Sequence, residues 1–245
     1  MKSKDFQEIS TTAEEYEHDN NILNSNTIEA LRLQNPARIL SNLYLSSAEP
    51  AKDLLLLKQL QVNYVLNLTG YKYNSNELRF TFNYPSEITA KHIIMADEMD
   101  VKLSDHLNEA LDFIYHTIGN NSSNKILIHC EAGIRRSPSI VIAYLMRYHN
   151  QSLKAAYDYV KQCKNNVDPH AGFFKQLIEF EQQLSSNNST SDNNSFKTSI
   201  CLHDYLVQQM LEGAAASFTR DQISTALEKT NDQPHLALNL LFSSM

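Results

Sequence analysis

The residues with the clearest chemical potential lie between Cys130 and Arg136, which five residues separate. A short apolar strand pattern at 125–129 precedes this segment, and an apolar helical pattern follows it from residue 137. A loop that leads into the N-terminus of a helix directs successive backbone N–H groups into one concavity, which suits an oxyanion. Five intervening residues can surround three equatorial oxygens, and the planar guanidinium of Arg136 can hold two of them. The segment therefore predicts a site for the phosphate group of a monoester.

The chemistry predicted for this loop is nucleophilic. Its N–H groups and the helix end favour a thiolate at Cys130, and a thiolate that faces a phosphate monoester is a nucleophile for phosphoryl transfer. Gly133 allows a close backbone approach that a side chain would obstruct. Cys163 and Cys201 lie outside any such loop and are interpreted as structural thiols. The residues predicted to bind the phosphate are Glu131, Ala132, Gly133, Ile134, Arg135 and Arg136.

Two polar side chains flank the nucleophile. His129 could act as a general base, but adjacent residues on a strand point to opposite faces, so we favour a role in bracing the loop. Ser137 could cap the following helix or donate a hydrogen bond to the sulfur of Cys130. These two roles of Ser137 are compatible, and the sequence does not separate them.

A thiolate nucleophile also needs an acid that protonates the departing oxygen. The candidates are Asp97, Glu98 and Asp100, which share one acidic loop after a predicted strand at 92–95. Asp97 follows that strand most closely and is the first choice. Spacing alone does not select among the three carboxylates.

The elements that must position these groups alternate along the chain. Strands are predicted at 39–45, 62–68, 80–84, 92–95 and 125–129, and helices at 51–60, 103–118, 137–149, 153–164 and 172–184. This alternation indicates an α/β domain over residues 36–184. Residues 185–198 are predicted to be a Ser/Asn-rich linker, and residues 199–245 to form two or three short helices. Residues 1–35 are polar and acidic, which favours disorder.

Composition limits the class of protein. The chain has 245 residues, of which 42% are hydrophobic and 20% charged, as expected for a folded domain with its own core. The net charge of −7 argues against nucleic acid or an anionic membrane as partner, and no apolar run in the sequence is long enough for a membrane span. Three widely spaced cysteines and a polar N-terminal region favour a reducing compartment, so we expect a cytoplasmic or nuclear protein.

The loop and its flanking elements resemble the cysteine-dependent dual-specificity protein phosphatases of the smaller, atypical type. The resemblance covers most of residues 38–184. The segments that carry it are 42–47 and 62–68, which resemble the first two strands of the family, and 140–146, 156–160 and 172–177, which resemble its later helices. It implies a central, mostly parallel five-stranded sheet flanked by helices, as in the protein tyrosine phosphatases.

This resemblance also implies roles for the site residues. Cys130 would be the nucleophile, Arg136 the phosphate binder, Ser137 an aid to departure of the thiolate, and Asp97 the general acid. The family needs no metal or other cofactor, because water hydrolyses the phosphocysteine in a second step. Its implied partners are phosphorylated proteins, as phosphotyrosine or as phosphoserine and phosphothreonine.

The sequence departs from the family pattern at three places. Arg135 stands where serine is usual, which adds positive charge at the mouth of the loop. His170 stands where many members have asparagine after proline, so support of the loop differs. Residues 71–90 are longer than usual, in a region that helps to form the pocket walls.

The C-terminal residues 199–245 resemble a ubiquitin-associated module. Residues 223–232 and 237–241 resemble its last two helices, whereas residues 212–218 replace the usual methionine-glycine-phenylalanine loop. The resemblance makes ubiquitin a candidate partner, and the alternative is a small helical module with a packing role or another partner.

Two other functions stay open at this point. One is a catalytically silent adaptor that binds phosphoproteins. The other is the same chemistry on a non-protein phosphate: a lipid, an RNA 5′-phosphate or a glucan. The intact nucleophile counts against the first, and the acidic Glu131 in the loop counts against polyanionic substrates.

Overall fold

The computed structural model describes residues 35–71, 82–119, 121, 123–187 and 200–244. The predicted disordered segment up to residue 34, most of the predicted linker and the first two residues of the predicted strand at 80–84 lie outside the described residues. The described residues from 36 onward form one compact unit. In the described parts of the chain, no helix has the length and apolarity needed to span a membrane.

One sheet contains the strands of the described residues. These are β1 (Ala37–Leu40), β2 (Leu43–Ser46), β3 (Tyr64–Asn67), β4 (Thr89–His92) and β5 (Ile126–His129). Their spatial order is β1-β2-β5-β3-β4. The last four in that order run parallel, and β1 pairs antiparallel with β2. The expected mostly parallel five-stranded sheet is confirmed.

The register brings the ends of the parallel strands into one row. Ser46 pairs with His129, His129 with Asn67, and Asn67 with His92. The central strand β5 is buried along its whole length. Since the carboxyl ends of parallel strands share one edge of a sheet, the loops that follow β5, β3 and β4 meet there.

Helices cover both faces of this sheet. They are α1 (Ala48–Lys52), α2 (Leu54–Gln59), α3 (Ser104–Ile114), α4 (Arg136–Tyr148), α5 (Leu153–Cys163) and α6 (Ala171–Asn187). Successive strand side chains point to opposite faces. Leu127 of β5 therefore packs in a small core with Leu57 of α2, whereas Ile126 and Ile128 belong to the large core that contains α3 to α6.

The helix α4 lies at the centre of the large core. All of its residues from 136 to 146 are buried, which accounts for its apolar character on every side. The helix begins at Arg136, directly after the loop at 130–135. The core therefore fixes the N-terminus of α4 near the carboxyl ends of the parallel strands.

Some boundaries predicted from the sequence are wrong. The predicted strand at 39–45 is two strands, because residues 41 and 42 form the turn of a hairpin. The predicted helix at 51–60 is divided at Asp53, whose side chain accepts a hydrogen bond from the Leu56 N–H and so begins a new helix, α2. The spacing of apolar residues predicted the type of each element correctly. It did not show the turn within the segment, because a turn does not change that spacing.

Three further predictions from the sequence are wrong for another reason. Strand β4 occupies Thr89–His92 rather than 92–95, and Ile93 and Met95 enter the core from an extended connection. Residues 82–84 form no strand. The α-helical part of the predicted helix at 103–118 ends at Ile114 and continues as the π-helical turn Tyr115–Gly119. At these places the apolar pattern reflects burial of side chains, although the backbone does not form the predicted strand or α-helix.

The described C-terminal residues form the predicted short helices. These are α7 (Leu202–Glu212), α8 (Arg220–Lys229) and α9 (Pro234–Ser243). The side chains of Thr219 and Gln222 form a capping box at the start of α8, and Pro234 occupies the first turn of α9. Their buried residues join the large core rather than a separate one.

Candidate active site

The loop between β5 and α4 surrounds the sulfur of Cys130. Cys130 as a residue is 2% exposed. The backbone N–H of Gly133 donates a hydrogen bond to Sγ at 3.2 Å, and the hydroxyl of Ser137 donates to the same atom at 3.2 Å. Donors that converge on a sulfur stabilise negative charge there. The arrangement therefore places two hydrogen-bond donors on the sulfur that the sequence predicts to be the nucleophile.

The path of the loop depends on Gly133. Its φ angle is +68°, and a Cβ atom added at this position would lie 2.6 Å from the carbonyl oxygen of Ser46. Only glycine combines that conformation with that approach to β2. Two neighbouring segments hold the loop from outside: the Ala48 N–H donates to the carbonyl of Glu131 at 3.0 Å, and the Asp168 N–H donates to the carbonyl of Ile134 at 2.9 Å.

The guanidinium of Arg136 is buried beside the loop and is 5% exposed as a residue. Its Nη1 donates to the carbonyl of Met95 at 3.1 Å and to that of Leu68 at 3.4 Å. Its Nε is buried and has no acceptor among the described residues. A buried donor without an acceptor is costly, and a bound oxyanion would supply one.

The structure brings Asp97, the first-choice acid, to this arginine. Asp97 Oδ2 lies 3.7 Å from Arg136 Nη2 and 3.9 Å from Arg135 Nη1. Its side chain is about a third exposed, so it is open to solvent and to a ligand above the loop. Among the ion pairs of the described residues, Glu98 and Asp100 have none with these arginines. Proximity to the loop therefore distinguishes Asp97 from its two neighbours, although its role as acid stays a prediction.

His129 is fully buried and directly precedes Cys130 in the chain. Its Nδ1 donates to the carbonyl of Cys130 at 3.2 Å. Burial lowers the pKa of His129 from 6.5 to about 4, and the charges of His92 and Arg136 act in the same direction. The ring is therefore neutral at pH 7, and its contact with the loop backbone agrees with the predicted bracing role.

The unusual His170 stands beside Asp97. Its Nε2 lies 4.0 Å from Asp97 Oδ1, and its ring stacks on Phe173 at 3.9 Å between centroids. Its Nδ1 accepts a hydrogen bond from the Phe173 N–H at 3.1 Å, within the first turn of α6. Burial is the main cause that lowers the pKa of His170. A neutral imidazole thus connects the start of α6 with the loop of Asp97.

Two residues near the loop were missed by the sequence analysis. Asp168 reaches the loop through its backbone N–H, as described above. Lys164 is buried at the end of α5, where burial lowers the pKa of its ammonium and the negative charge of Cys130 opposes that effect. Its Nζ donates to Asn166 at 2.6 Å. Both residues lie in the polar segment that connects α5 and α6. The sequence shows there only a lysine and an aspartate at and after the end of a predicted helix, which does not indicate a contact with the loop.

The described residues contain no group of three or more His, Cys, Asp or Glu side chains that could hold a metal ion. Residues 43–183 match the family described as "Dual specificity phosphatase, catalytic domain". The chain belongs to this family. The match covers more than half of the chain and includes every residue of the predicted site.

Similar curated proteins carry the same family name. The chain is 38% identical to human (Homo sapiens) dual specificity protein phosphatase 9 over 154 residues, which are 63% of this chain and 38% of that protein. It is 38% identical to human dual specificity protein phosphatase 6 over 149 residues, 61% of this chain and 37% of that protein. The alignment thus spans little more than a third of these relatives.

Solved structures of the family share the fold. DUSP15 superposes with a TM-score of 0.52 at 26% identity and covers 64% of this chain and 99% of its own. The human tyrosine phosphatase-like serine/threonine/tyrosine-interacting protein superposes with a TM-score of 0.55 at 24% identity, over 61% of this chain and 97% of its own. These likenesses support the dual-specificity phosphatase fold and leave the helices α7 to α9 as an addition to it, since the family match ends at residue 183.

Proposed function

We propose that this chain is a protein phosphatase that hydrolyses phosphotyrosine and phosphoserine or phosphothreonine through a phosphocysteine intermediate on Cys130. The observation that carries the proposal is the convergence of donors on one sulfur at the base of the loop, with Arg136 and Asp97 beside it. Such donors stabilise a thiolate before substrate binds and the phosphate oxygens afterwards. This is the arrangement that displacement at phosphorus requires.

In the first step, the phosphate binds to the loop N–H groups and to the guanidinium of Arg136. The thiolate Sγ of Cys130 attacks phosphorus, so that an S–P bond forms as the bond to the leaving oxygen breaks. Protonated Asp97 donates its proton to that oxygen, which departs as an alcohol or phenol.

In the second step, water attacks the phosphocysteine. The carboxylate of Asp97 accepts a proton from this water, the new O–P bond forms, and the S–P bond breaks. The hydroxyl of Ser137 stabilises the departing thiolate by its hydrogen bond to Sγ. The products are inorganic phosphate and the free enzyme in its initial protonation state.

The charges around the loop favour a phosphoprotein over a polyanionic substrate. Glu131 Oε2 lies 3.7 Å from Arg136 Nη2, on the same guanidinium nitrogen that Asp97 approaches. The carboxylate of Glu131 therefore places negative charge beside the phosphate site, and each additional phosphate on a ligand would be repelled by it. A single phosphate monoester on a protein avoids this repulsion, whereas a phosphoinositide or an RNA does not.

The experiment is hydrolysis of 4-nitrophenyl phosphate without added metal under reducing conditions. We expect turnover by the wild type, none by Cys130→Ser, and a lower rate for Asp97→Asn, with a greater loss for a substrate whose leaving group is less acidic. Glu98→Gln is the matched control for the acid and should retain the wild-type rate. Activity retained in Cys130→Ser would overturn the proposal, and tight phosphopeptide binding without turnover would favour the adaptor instead.

Ubiquitin binding by residues 199–245 stays a prediction from the sequence. Leu236 and Phe242 of α9 are exposed at 41% and 52%, as side chains of a partner-binding helix would be. Titration of the full chain with ubiquitin by calorimetry tests the prediction. A Leu236→Ser variant, which removes one exposed apolar side chain of α9, should bind more weakly. No heat of binding at millimolar ubiquitin would leave the packing role described below.

A further inference from the structure

The helix α7 is anchored on the catalytic core by Tyr205. The ring of Tyr205 is buried, stacks parallel to Phe174 of α6 with 3.6 Å between centroids, and meets Tyr157 of α5 edge to face at 5.6 Å. These contacts fix one turn of α7 against two helices of the phosphatase domain.

The polar groups of α7 converge on the segment that precedes α6. The hydroxyl of Tyr205 donates to the carbonyl of Pro169. The amide of Gln209 donates to Asp168 Oδ1 and to the Tyr205 oxygen, the latter at 2.6 Å. Burial raises the pKa of Tyr205 far above its ordinary value, so the hydroxyl stays a donor. The Tyr205 hydroxyl also lies 3.3 Å from Asp168 Oδ1, and Gln209 Nε2 lies 3.4 Å from the Pro169 carbonyl oxygen, so both side chains contact both residues of the segment.

The same segment touches the catalytic loop from its other side. The Asp168 N–H donates to the carbonyl of Ile134 at 2.9 Å, and two residues later His170 Nε2 lies 4.0 Å from Asp97 Oδ1. Pro169 stands between these two contacts and restricts the backbone there. A displacement of residues 168 and 169 would therefore move both the phosphate loop and the neighbour of the acid.

We propose that α7 is a positioning element of the active site and that Tyr205 and Gln209 are its positioning residues, acting through Asp168 and Pro169. The inference rests on the proposed function, because it concerns the same loop. It assigns to the C-terminal helices a part in catalysis, although they lie outside the matched phosphatase domain. Neither residue touches the substrate.

The test uses two substitutions in the full chain that remove the polar contacts but retain side-chain bulk, Tyr205→Phe and Gln209→Leu. For each we expect kcat/KM on 4-nitrophenyl phosphate to fall and the dissociation constant of orthovanadate to rise, both about three- to tenfold. Gln208→Leu is the matched control, since the amide of Gln208 donates to Glu212 on the same helix. It should leave both quantities unchanged.

A double substitution tests whether the effect passes through Asp168. Asp168→Ala should resemble Gln209→Leu, and the combination of the two should be no worse than Asp168→Ala alone, because one contact is being removed twice. Asp168→Asn retains an acceptor oxygen and should restore most of kcat/KM. A role in stability alone would lower the melting temperature of these variants but would not change vanadate affinity of the folded protein.

The outcomes separate this inference from the proposed function. Orthovanadate binding is measured by calorimetry and needs no turnover, so an inactive wild type would contradict the phosphatase proposal and still leave α7 testable. Folded Tyr205→Phe and Gln209→Leu variants with wild-type kcat/KM and vanadate affinity would overturn the inference. Effects that multiply in the double variant would overturn the route through Asp168.

Discussion

At the scale of single residues, the proposed chemistry depends on what surrounds the sulfur atom of Cys130. Cys130 receives a backbone donor from Gly133 and a hydroxyl donor from Ser137, both at 3.2 Å. The backbone donor cannot be removed by substitution without changing the loop. The hydroxyl can be removed alone, so a substitution of Ser137 tests how much its hydrogen bond stabilises negative charge on the sulfur.

We predict that Ser137→Ala slows hydrolysis of the phosphocysteine about ten- to a hundredfold, as loss of a hydrogen bond to a developing thiolate would. Rapid mixing with 4-nitrophenyl phosphate should then show a burst of nitrophenol followed by a slow steady state. Ser152→Ala is the control, because Ser152 caps α5 far from the sulfur. An unchanged steady-state rate without a burst would contradict the prediction.

His129 makes the stability of the fold depend on pH. Its pKa is about 4 in the folded protein because of burial, and 6.5 is the ordinary value. Between these values the unfolded chain binds a proton that the folded ring does not, so stability is lost as the pH falls. We predict that this residue accounts for roughly 2 kcal/mol of the decrease in unfolding free energy from pH 7 to pH 5.

Urea denaturation at the two pH values measures this decrease. In His129→Asn, whose amide can still donate to the Cys130 carbonyl, the decrease should be smaller by that amount, and in the exposed His116→Asn it should match the wild type. Titration of the His129 ring by NMR provides a second measurement that needs no variant. Protonation of the ring above pH 6 would show that the prediction is wrong.

At the scale of elements, α6 completes the beginnings of two other helices. Its Gln176 accepts from the Leu103 N–H at 2.6 Å, where α3 begins, and donates to the Val101 carbonyl at 2.8 Å. Its Glu181 is fully buried and accepts from the Leu153 N–H at 2.6 Å, in the first turn of α5. Helix ends leave unpaired N–H groups, and here a distant helix supplies the acceptors.

We predict that Glu181→Ala lowers the free energy of unfolding by about 1–3 kcal/mol, because it leaves the Leu153 N–H buried without an acceptor. Glu181→Gln retains an acceptor oxygen and should cost less. Urea denaturation measures both, with the exposed Gln182→Ala on the same helix as control. Equal stability of Glu181→Ala and Gln182→Ala would mean that the buried carboxylate contributes nothing to α5.

At the scale of the whole molecule, the C-terminal helices and the phosphatase domain share one hydrophobic core. Tyr205, Leu206 and Val207 of α7 are buried in the same cluster as α4 and α6. At the C-terminal end of α7, an ion pair also joins it to α5, with Lys161 Nζ and Glu212 Oε2 2.8 Å apart. We therefore expect the two parts to unfold together.

We predict that the wild type unfolds in a single calorimetric transition. In Tyr205→Ala we expect two transitions, one for the C-terminal helices and one for the phosphatase domain. Loss of this ring removes its contacts with Phe174 and Tyr157 and should cost about 3–5 kcal/mol. Phe242→Ala, at an exposed position of α9, is the control and should change the unfolding free energy by less than about 1 kcal/mol. A Tyr205→Ala variant that unfolds in one transition at the wild-type temperature would contradict a shared core.

The sequence by itself predicted the phosphate-binding loop and the class of chemistry proposed for it. A phosphate-binding loop is built from contiguous residues, so Cys130, Gly133 and Arg136 carry their spacing in the chain. The alternation of strands and helices determined the α/β class in the same way, because apolar period is a local property. The structure places Cys130, Gly133 and Arg136 between β5 and α4, and their roles stay predictions.

Only the tertiary structure decided what depends on segments far apart in the chain. The distance of Asp97 from Arg136 is of this kind, although the resemblance already favoured Asp97 over Glu98 and Asp100 as the acid, and the bounds of β4 depend on its pairing with β3. The contacts of α7 with Asp168 cross about 40 residues. No local pattern encodes them, because a hydrogen bond between distant segments depends on how the core packs and not on the spacing of its two partners.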